Sequence, residues 1–139
     1  MNDSSVYSSF PIFVTGGTGL IGKALQKIVD PSPGITTLSL DGNANIQYDL
    51  TKDDGTLQNK ILNYSRLIHA AGMKTNPKIT NQNKGTFFTK LALMNTNFFR
   101  ACYDTCRINK HIVYTSSIGA YEESPEDLIE TNAYKGLPM

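Results

Sequence analysis

Phe13-Val14-Thr15-Gly16-Gly17-Thr18-Gly19-Leu20-Ile21-Gly22 is the stretch that decides the fold. An apolar run leads into it, and Leu20, Ile21, Ala24, Leu25 and Ile28 recur after it at helical spacing. A glycine-rich turn between a strand and a helix sets backbone N–H groups and the positive helix end where a pyrophosphate can meet them. Gly16 suits the tight turn, Gly19 leaves room for close approach of a phosphate, and Gly22 lets the helix lie close on the sheet. Leu20 and Ile21, between the last two of these glycines, count with them as candidate cofactor-binding positions.

Outward from this turn, apolar runs alternate with helical ones. Pro11 to Thr15 reads as the first strand and Leu20 to Ile28 as the first helix, which the Asp30-Pro31-Ser32-Pro33-Gly34 stretch ends. Ile35 to Leu40 and the weaker Asn45 to Tyr48 are the second and third strands. Thr51 to Leu62 reads as a helix, with Thr51 and Asp54 as a variant capping box. Arg66 to Ala70 is the fourth strand and Met73 to Lys84 a polar loop. Thr86 to Cys106 is a long helix with Leu91, Met94, Phe98, Phe99 and Cys102 as inward candidates, and Lys110 to Thr115 is the fifth strand. Alternation at this spacing implies βαβ units with right-handed crossovers, hence an α/β, Rossmann-type doubly wound parallel sheet.

The chain has 139 residues, 40% apolar and 18% charged, with a formal net charge of +1. Those values suit one globular domain, here residues 10–139 behind a flexible leader of residues 1–9, and give no electrostatic reason to expect nucleic acid or a membrane. Cys102 and Cys106 lack the company a metal site needs, so no metal is expected. Both read as reduced, half-buried thiols of a cytoplasmic protein.

Asp41 falls about 20 residues beyond Gly22, at the end of the second strand, where a carboxylate can hold the hydroxyls of an adenosine ribose. Asp-Gly is also an ordinary turn pair. A carboxylate there favours NAD, because it repels a 2′-phosphate. The loop from Gly42 to Asn45 could contact the ribose instead, which leaves NADP open.

Taken in order, Thr15-Gly16-Gly17-Thr18-Gly19-Leu20-Ile21-Gly22, Asp49-Leu50, His69-Ala70-Ala71-Gly72 and Tyr114-Thr115-Ser116-Ser117 resemble the extended short-chain dehydrogenases/reductases. Within them the resemblance is to the N-terminal half of the nucleotide-sugar epimerases, dehydratases and reductases, a group that includes the GDP-L-fucose synthases and UDP-galactose 4-epimerases. It implies hydride transfer on a sugar nucleotide. Asp49 would bond the adenine amino group and, with Leu50, form part of the cofactor site. Ala70, Ala71 and Gly72 would line the middle of the cofactor, and Lys74 would reach the nicotinamide side. Ser117 would be the catalytic hydroxyl on the substrate oxygen; read from the residues alone, it is also a loop serine able to bond its own backbone.

The family's Asn-x-x-Gly-Thr segment is not clean, with Leu91 near the Asn position and Asn95 and Asn97 one turn later, and Gly119 stands where fucose synthases carry a cysteine. The family's catalytic Tyr-x-x-x-Lys is absent: Tyr134 is followed by Lys135-Gly136-Leu137-Pro138 and stands too soon after Ser117, and by family spacing the pair is expected a little beyond Met139. The tyrosine is the general acid or base and the lysine lowers its pKa, so the chain is expected to be inactive alone. It reads as a sheet truncated after the fifth strand, with a bare apolar edge that calls for cover by a second copy or a complementing chain. The alternative is a non-catalytic dinucleotide-binding regulator of the same fold.

Overall fold

A computed structural model describes residues 11–29, 34–73, 82–106 and 109–116. Five strands form one sheet: β1 (Ile12–Thr15), β2 (Ile35–Ser39), β3 (Ile46–Gln47), β4 (Arg66–His69) and β5 (His111–Tyr114). Their order is β3-β2-β1-β4-β5 and every pairing is parallel, so the chain winds outward from β1 in both directions. The helices are α1 (Leu20–Ile28), α2 (Leu57–Ile61) and α3 (Lys84–Asp104). No helix among the described residues is long and apolar enough to cross a membrane. The expected Rossmann-type α/β sheet is therefore present, with β5 at one edge.

The central strands alternate sides, as a pleated chain must. Phe13, Leu38 and Leu67 turn to the face covered by α2 and α3. There they join Leu50, Leu57, Ile61, Phe98, Ala101 and Cys102 in one buried core. Register explains the meeting, because Phe13 stands opposite Leu67 while Thr15 stands opposite Leu38 and His69. Val14, fully buried, turns to the other face, the side on which a right-handed β1-α1-β2 crossover places α1.

Three expectations need correction. The helix proposed from Thr51 begins only at Leu57. Asp49 Oδ1 accepts from the N–H and the hydroxyl of Thr51 at 3.0 and 2.7 Å, and Asp54 Oδ1 does the same for Thr56 at 2.9 and 2.8 Å. These two Asp-x-Thr turns offer the backbone an alternative to helix, so Thr51 and Asp54 form no capping box. On α3, Phe99 is 40% exposed, while Asn97 and Ala101 take buried places beside Phe98 and Cys102. The thiols are unlike each other: Cys102 is buried, its pKa pushed up to about 11 by desolvation, and Cys106 is exposed.

Helix α1 shows its own departure from a simple amphipathic picture. Gly22 is its buried residue, and the apolar line Leu20, Ala24 and Ile28 is exposed, Leu20 and Ile28 to 89% and 77%. What seats this helix is the missing side chain of Gly22: a Cβ there would stand 2.4 Å from the Gly17 Cα and 2.6 Å from the Gly16 carbonyl oxygen.

Candidate functional site

The carboxyl ends of β1, β2 and β4 open into a cleft of about 550 Å³. In open parallel sheets this is the crevice where ligands bind, at the point where the strand order reverses direction. Gly16, Gly19, Asp41, Asp49, Leu50, Ala70, Ala71 and Gly72 all line it. Residues from the segments that follow four different strands, β1, β2, β3 and β4, are thus brought together. The Leu20 and Ile21 side chains do not line the cleft and are exposed. Lys74 and Ser117 lie outside the described residues.

The glycine turn is built by backbone contacts. The Gly16 N–H donates to the Leu38 carbonyl at 2.8 Å, and the Gly19 N–H donates to the Gly16 carbonyl at 3.0 Å. Gly16 sits at φ +73°, and any Cβ would come within 2.6 Å of the Ala70 carbonyl oxygen, so the turn after β1 can pass this close to the chain leaving β4 only because this residue is glycine. Gly22 lies against the turn itself, a closer role than packing on the sheet at large. Gly19 has an ordinary extended backbone, φ −74° and ψ 179°; a Cβ there would meet only the Gly16 carbonyl, at 3.1 Å, and otherwise open space. The first-turn amides of Leu20, Ile21 and Gly22, which have no acceptor within the helix, follow directly.

Two carboxylates stand in the cleft and are held differently. Asp41 is exposed; its Oδ2 accepts from the Thr18 hydroxyl at 2.7 Å and its Oδ1 from the Asn43 N–H at 3.1 Å. The Thr18 hydroxyl, the Asn43 amide and the charge of Lys23 hold its pKa below the usual carboxylate value. Asp49 is half-buried, and Thr51 bonds only its Oδ1. Those bonds, with the charges of Lys52 and Lys90, lower its pKa as well. Both groups are therefore ionised acceptors at neutral pH.

Sequence reasoning missed several contributors. Thr18, Lys90 and Met94 line the cleft. Lys90 brings positive charge from α3 to a cleft that carries the two carboxylates. Asn97, buried on α3, donates through Nδ2 to the Leu50 carbonyl at 2.9 Å and lies 3.3 Å from the Lys52 carbonyl, which pins the Asp49–Thr51 turn to the helix. Gly17 belongs to the turn for a packing reason, since a Cβ there would lie 2.3 Å from the Thr37 Cβ.

Below the cleft floor His69 is fully buried and stacks on Phe98, ring centroids 4.1 Å apart. Its Nδ1 lies 2.6 Å from the Thr15 hydroxyl and its Nε2 3.0 Å from Asn95 Oδ1. Burial lowers its pKa, so the ring is neutral; with the hydrogen on Nε2 donated to Asn95 Oδ1, Nδ1 accepts a hydrogen bond from the Thr15 hydroxyl. Asn95 Nδ2 donates to the Tyr114 hydroxyl at 3.2 Å, and the Thr115 N–H donates to the His69 carbonyl at 3.1 Å. The ends of β1, β4 and β5 are thereby fixed to α3.

Tyr48 and Lys52 reproduce the Tyr-x-x-x-Lys spacing by themselves, on the loop after β3. The Tyr48 hydroxyl donates to Asp54 at 2.8 Å, and burial followed by that carboxylate pushes its pKa up to about 12. That is the reverse of what a general base needs.

The fold and this cleft define the chain as a Rossmann-type α/β protein. Residues 12–137 match the NAD dependent epimerase/dehydratase family, and the chain belongs to that family. A GDP-L-fucose synthetase from Naegleria fowleri, solved bound to NADP, is similar at 27% identity and a TM-score of 0.72 over 95% of this chain and 42% of its own. UDP-N-acetylglucosamine 4-epimerase from Bacillus cereus is similar at 26% identity and 0.68, over 94% of this chain and 46% of its own. A variant of uronate dehydrogenase from Agrobacterium tumefaciens, solved in complex with NAD, shares the fold at 17% identity and 0.60, over 81% of this chain and 43% of its own. The chain thus spans less than half the length of each of these structures. No curated protein matches the sequence.

Proposed function

We propose that this chain is the cofactor-binding portion of an enzyme that transfers hydride on a nucleotide sugar, and that its cofactor is NAD. The observation that carries the reading is the gathering of Gly16, Gly19, Asp41, Asp49 and Ala70–Gly72 around one cleft at the carboxyl edge of the sheet. The first-turn amides of Leu20, Ile21 and Gly22 would hold the pyrophosphate together with the helix dipole. Asp41 would take the adenosine ribose hydroxyls, and the Oδ2 of Asp49, which bonds no other group among the described residues, would accept from the adenine amino group. Ala70, Ala71 and Gly72 are small enough to let the cofactor pass toward the nicotinamide side. When bound, the nicotinamide supplies the hydride chemistry.

Membership of the epimerase/dehydratase family and the two nucleotide-sugar enzymes among its structural relatives support the substrate class. Ser117 is proposed to bond the reacting oxygen and Lys74 to reach the nicotinamide side. With Tyr48 tied to Asp54, no tyrosine–lysine pair in the described residues suits proton transfer, so the chain is proposed to bind without turning over by itself. A homodimer or a complementing chain over the β5 edge is proposed on the exposure of Val113 and Tyr114, 47% and 45%.

Isothermal titration of the purified chain with NAD and with NADP tests the reading. Saturable binding of one dinucleotide per chain, tighter for NAD, is expected. No heat from either nucleotide at millimolar concentration would overturn it.

A further inference from the structure

Asp41 is exposed and lines the cleft just beyond the end of β2. Its direction is set by two hydrogen bonds, one to each oxygen. The Asn43 N–H, two residues on, makes a local turn with Oδ1 at 3.1 Å. The Thr18 hydroxyl reaches across from the glycine turn to Oδ2 at 2.7 Å, a contact between residues 23 apart in sequence. Thr18 is itself clasped to the last residue of β2: its N–H donates to the Ser39 Oγ at 3.2 Å, and the two hydroxyls lie 2.9 Å apart. Ser39 is buried, so this anchor is firm. Gln47 Nε2 donates to the Leu40 carbonyl at 3.0 Å and steadies the turn from the other side.

Resting on the cofactor reading above, we propose that Thr18 is a specificity-determining positioning residue: it aims the Asp41 carboxylate at the adenosine ribose, and so sets the preference for NAD over NADP. An ionised carboxylate has about four acceptor positions. Thr18 and Asn43 occupy one on each oxygen, which leaves one on each oxygen for a vicinal diol. The same fixed charge opposes a 2′-phosphate. Without Thr18 an exposed side chain on a surface turn samples its other rotamers and turns to water. Lys23, close enough to act on Asp41's charge, would then bear on the ribose site unopposed and favour the phosphate. The glycine turn thus serves two ends, holding the pyrophosphate and orienting the residue that reads the ribose.

The test is calorimetric titration of NAD and NADP at one ionic strength into the full chain, its Thr18→Val, Thr18→Ser and Asp41→Asn variants, and the Thr18→Val/Asp41→Asn double variant. Thr18→Val keeps the branched shape and removes the donor. It should lower the NAD-to-NADP affinity ratio by about 3- to 10-fold, mostly through weaker NAD binding. Thr18→Ser should restore most of the ratio, which a merely structural role for the methyl group would not do. In the Asp41→Asn background, loss of the Thr18 hydroxyl should leave the ratio unchanged, because its effect passes through the carboxylate. If Asp41→Asn alters the ratio while Thr18→Val and Thr18→Ser both retain the wild-type value, this inference falls and the cofactor reading stands. If the unmodified chain binds neither nucleotide, both fall.

Discussion

The two faces of the sheet are built on different principles. On the α2/α3 face, Phe13, Leu38 and Leu67 meet Phe98, Ala101, Leu57 and Ile61 in a continuous core of fully or nearly fully buried side chains. On the α1 face, Val14 and Thr37 are buried, but α1 approaches through Gly22 and turns Leu20, Ala24 and Ile28 outward. The first face holds the domain together by burial of apolar surface, which dominates folding free energy. The second holds a backbone turn in one place, by glycine contacts that tolerate no Cβ. Stability and binding therefore respond to different residues, and substitutions on the two faces separate them.

The largest loss belongs to the core face. Phe98→Ala removes a ring that is fully buried and stacked on His69, and should cost about 3–5 kcal/mol in urea unfolding followed by circular dichroism. Asn97→Ala comes next. It leaves the Leu50 carbonyl without its side-chain donor and frees the Asp49 turn, and should cost about 1–3 kcal/mol in the same measurement and weaken dinucleotide binding.

His69 gives a pH-dependent version of the same comparison. Its folded-state pKa is lowered from 6.5 by burial, so the unfolded chain binds the proton more readily. Stability from this group is complete above the unfolded value and declines as pH falls from about 6.5 toward the lower folded value. The slope cannot exceed about 1.4 kcal/mol per pH unit for one proton. Replacing it by His69→Asn should flatten that part of the profile, measured as melting temperature between neutral and mildly acid pH.

The smallest effect is expected on the α1 face. Ile28→Ser changes an exposed side chain and should alter stability by less than about 0.5 kcal/mol. A loss as large as that of Phe98→Ala would show that this face is buried in solution and would erase the contrast.

Much of this was legible in the sequence because the signals are local. The strand, glycine turn and helix from Ile12 to Ile28 follow from a run, a turn composition and a period read in one window. Asp41, Asp49 and Ala70–Gly72 each follow a strand, so a sheet of parallel strands brings them to one edge. What was not legible depends on contacts between distant segments. Thr18 meets Asp41 across 23 positions, and Lys90 joins the cleft only because α3 runs past it. Asn97 stands one turn past the family's Asn position, and its burial was not legible because apolar periodicity ignores a buried amide. Its signal is its place between Met94 and Ala101, on the inward side of α3. The late start of α2 was hidden by the Asp-x-Thr pairs, whose side chains compete with the helix for backbone N–H groups.

The central claim is that one cleft at the carboxyl edge of β1, β2 and β4 holds a dinucleotide. Amide-resolved NMR titration of the chain with NAD tests it residue by residue. The account predicts saturable shifts at Gly19, Leu20, Ile21, Gly22, Asp41, Asp49, Ala71 and Gly72, with the C-terminal half of α3 unmoved. Shifts centred on α3 and β5, or none at millimolar NAD, would contradict it.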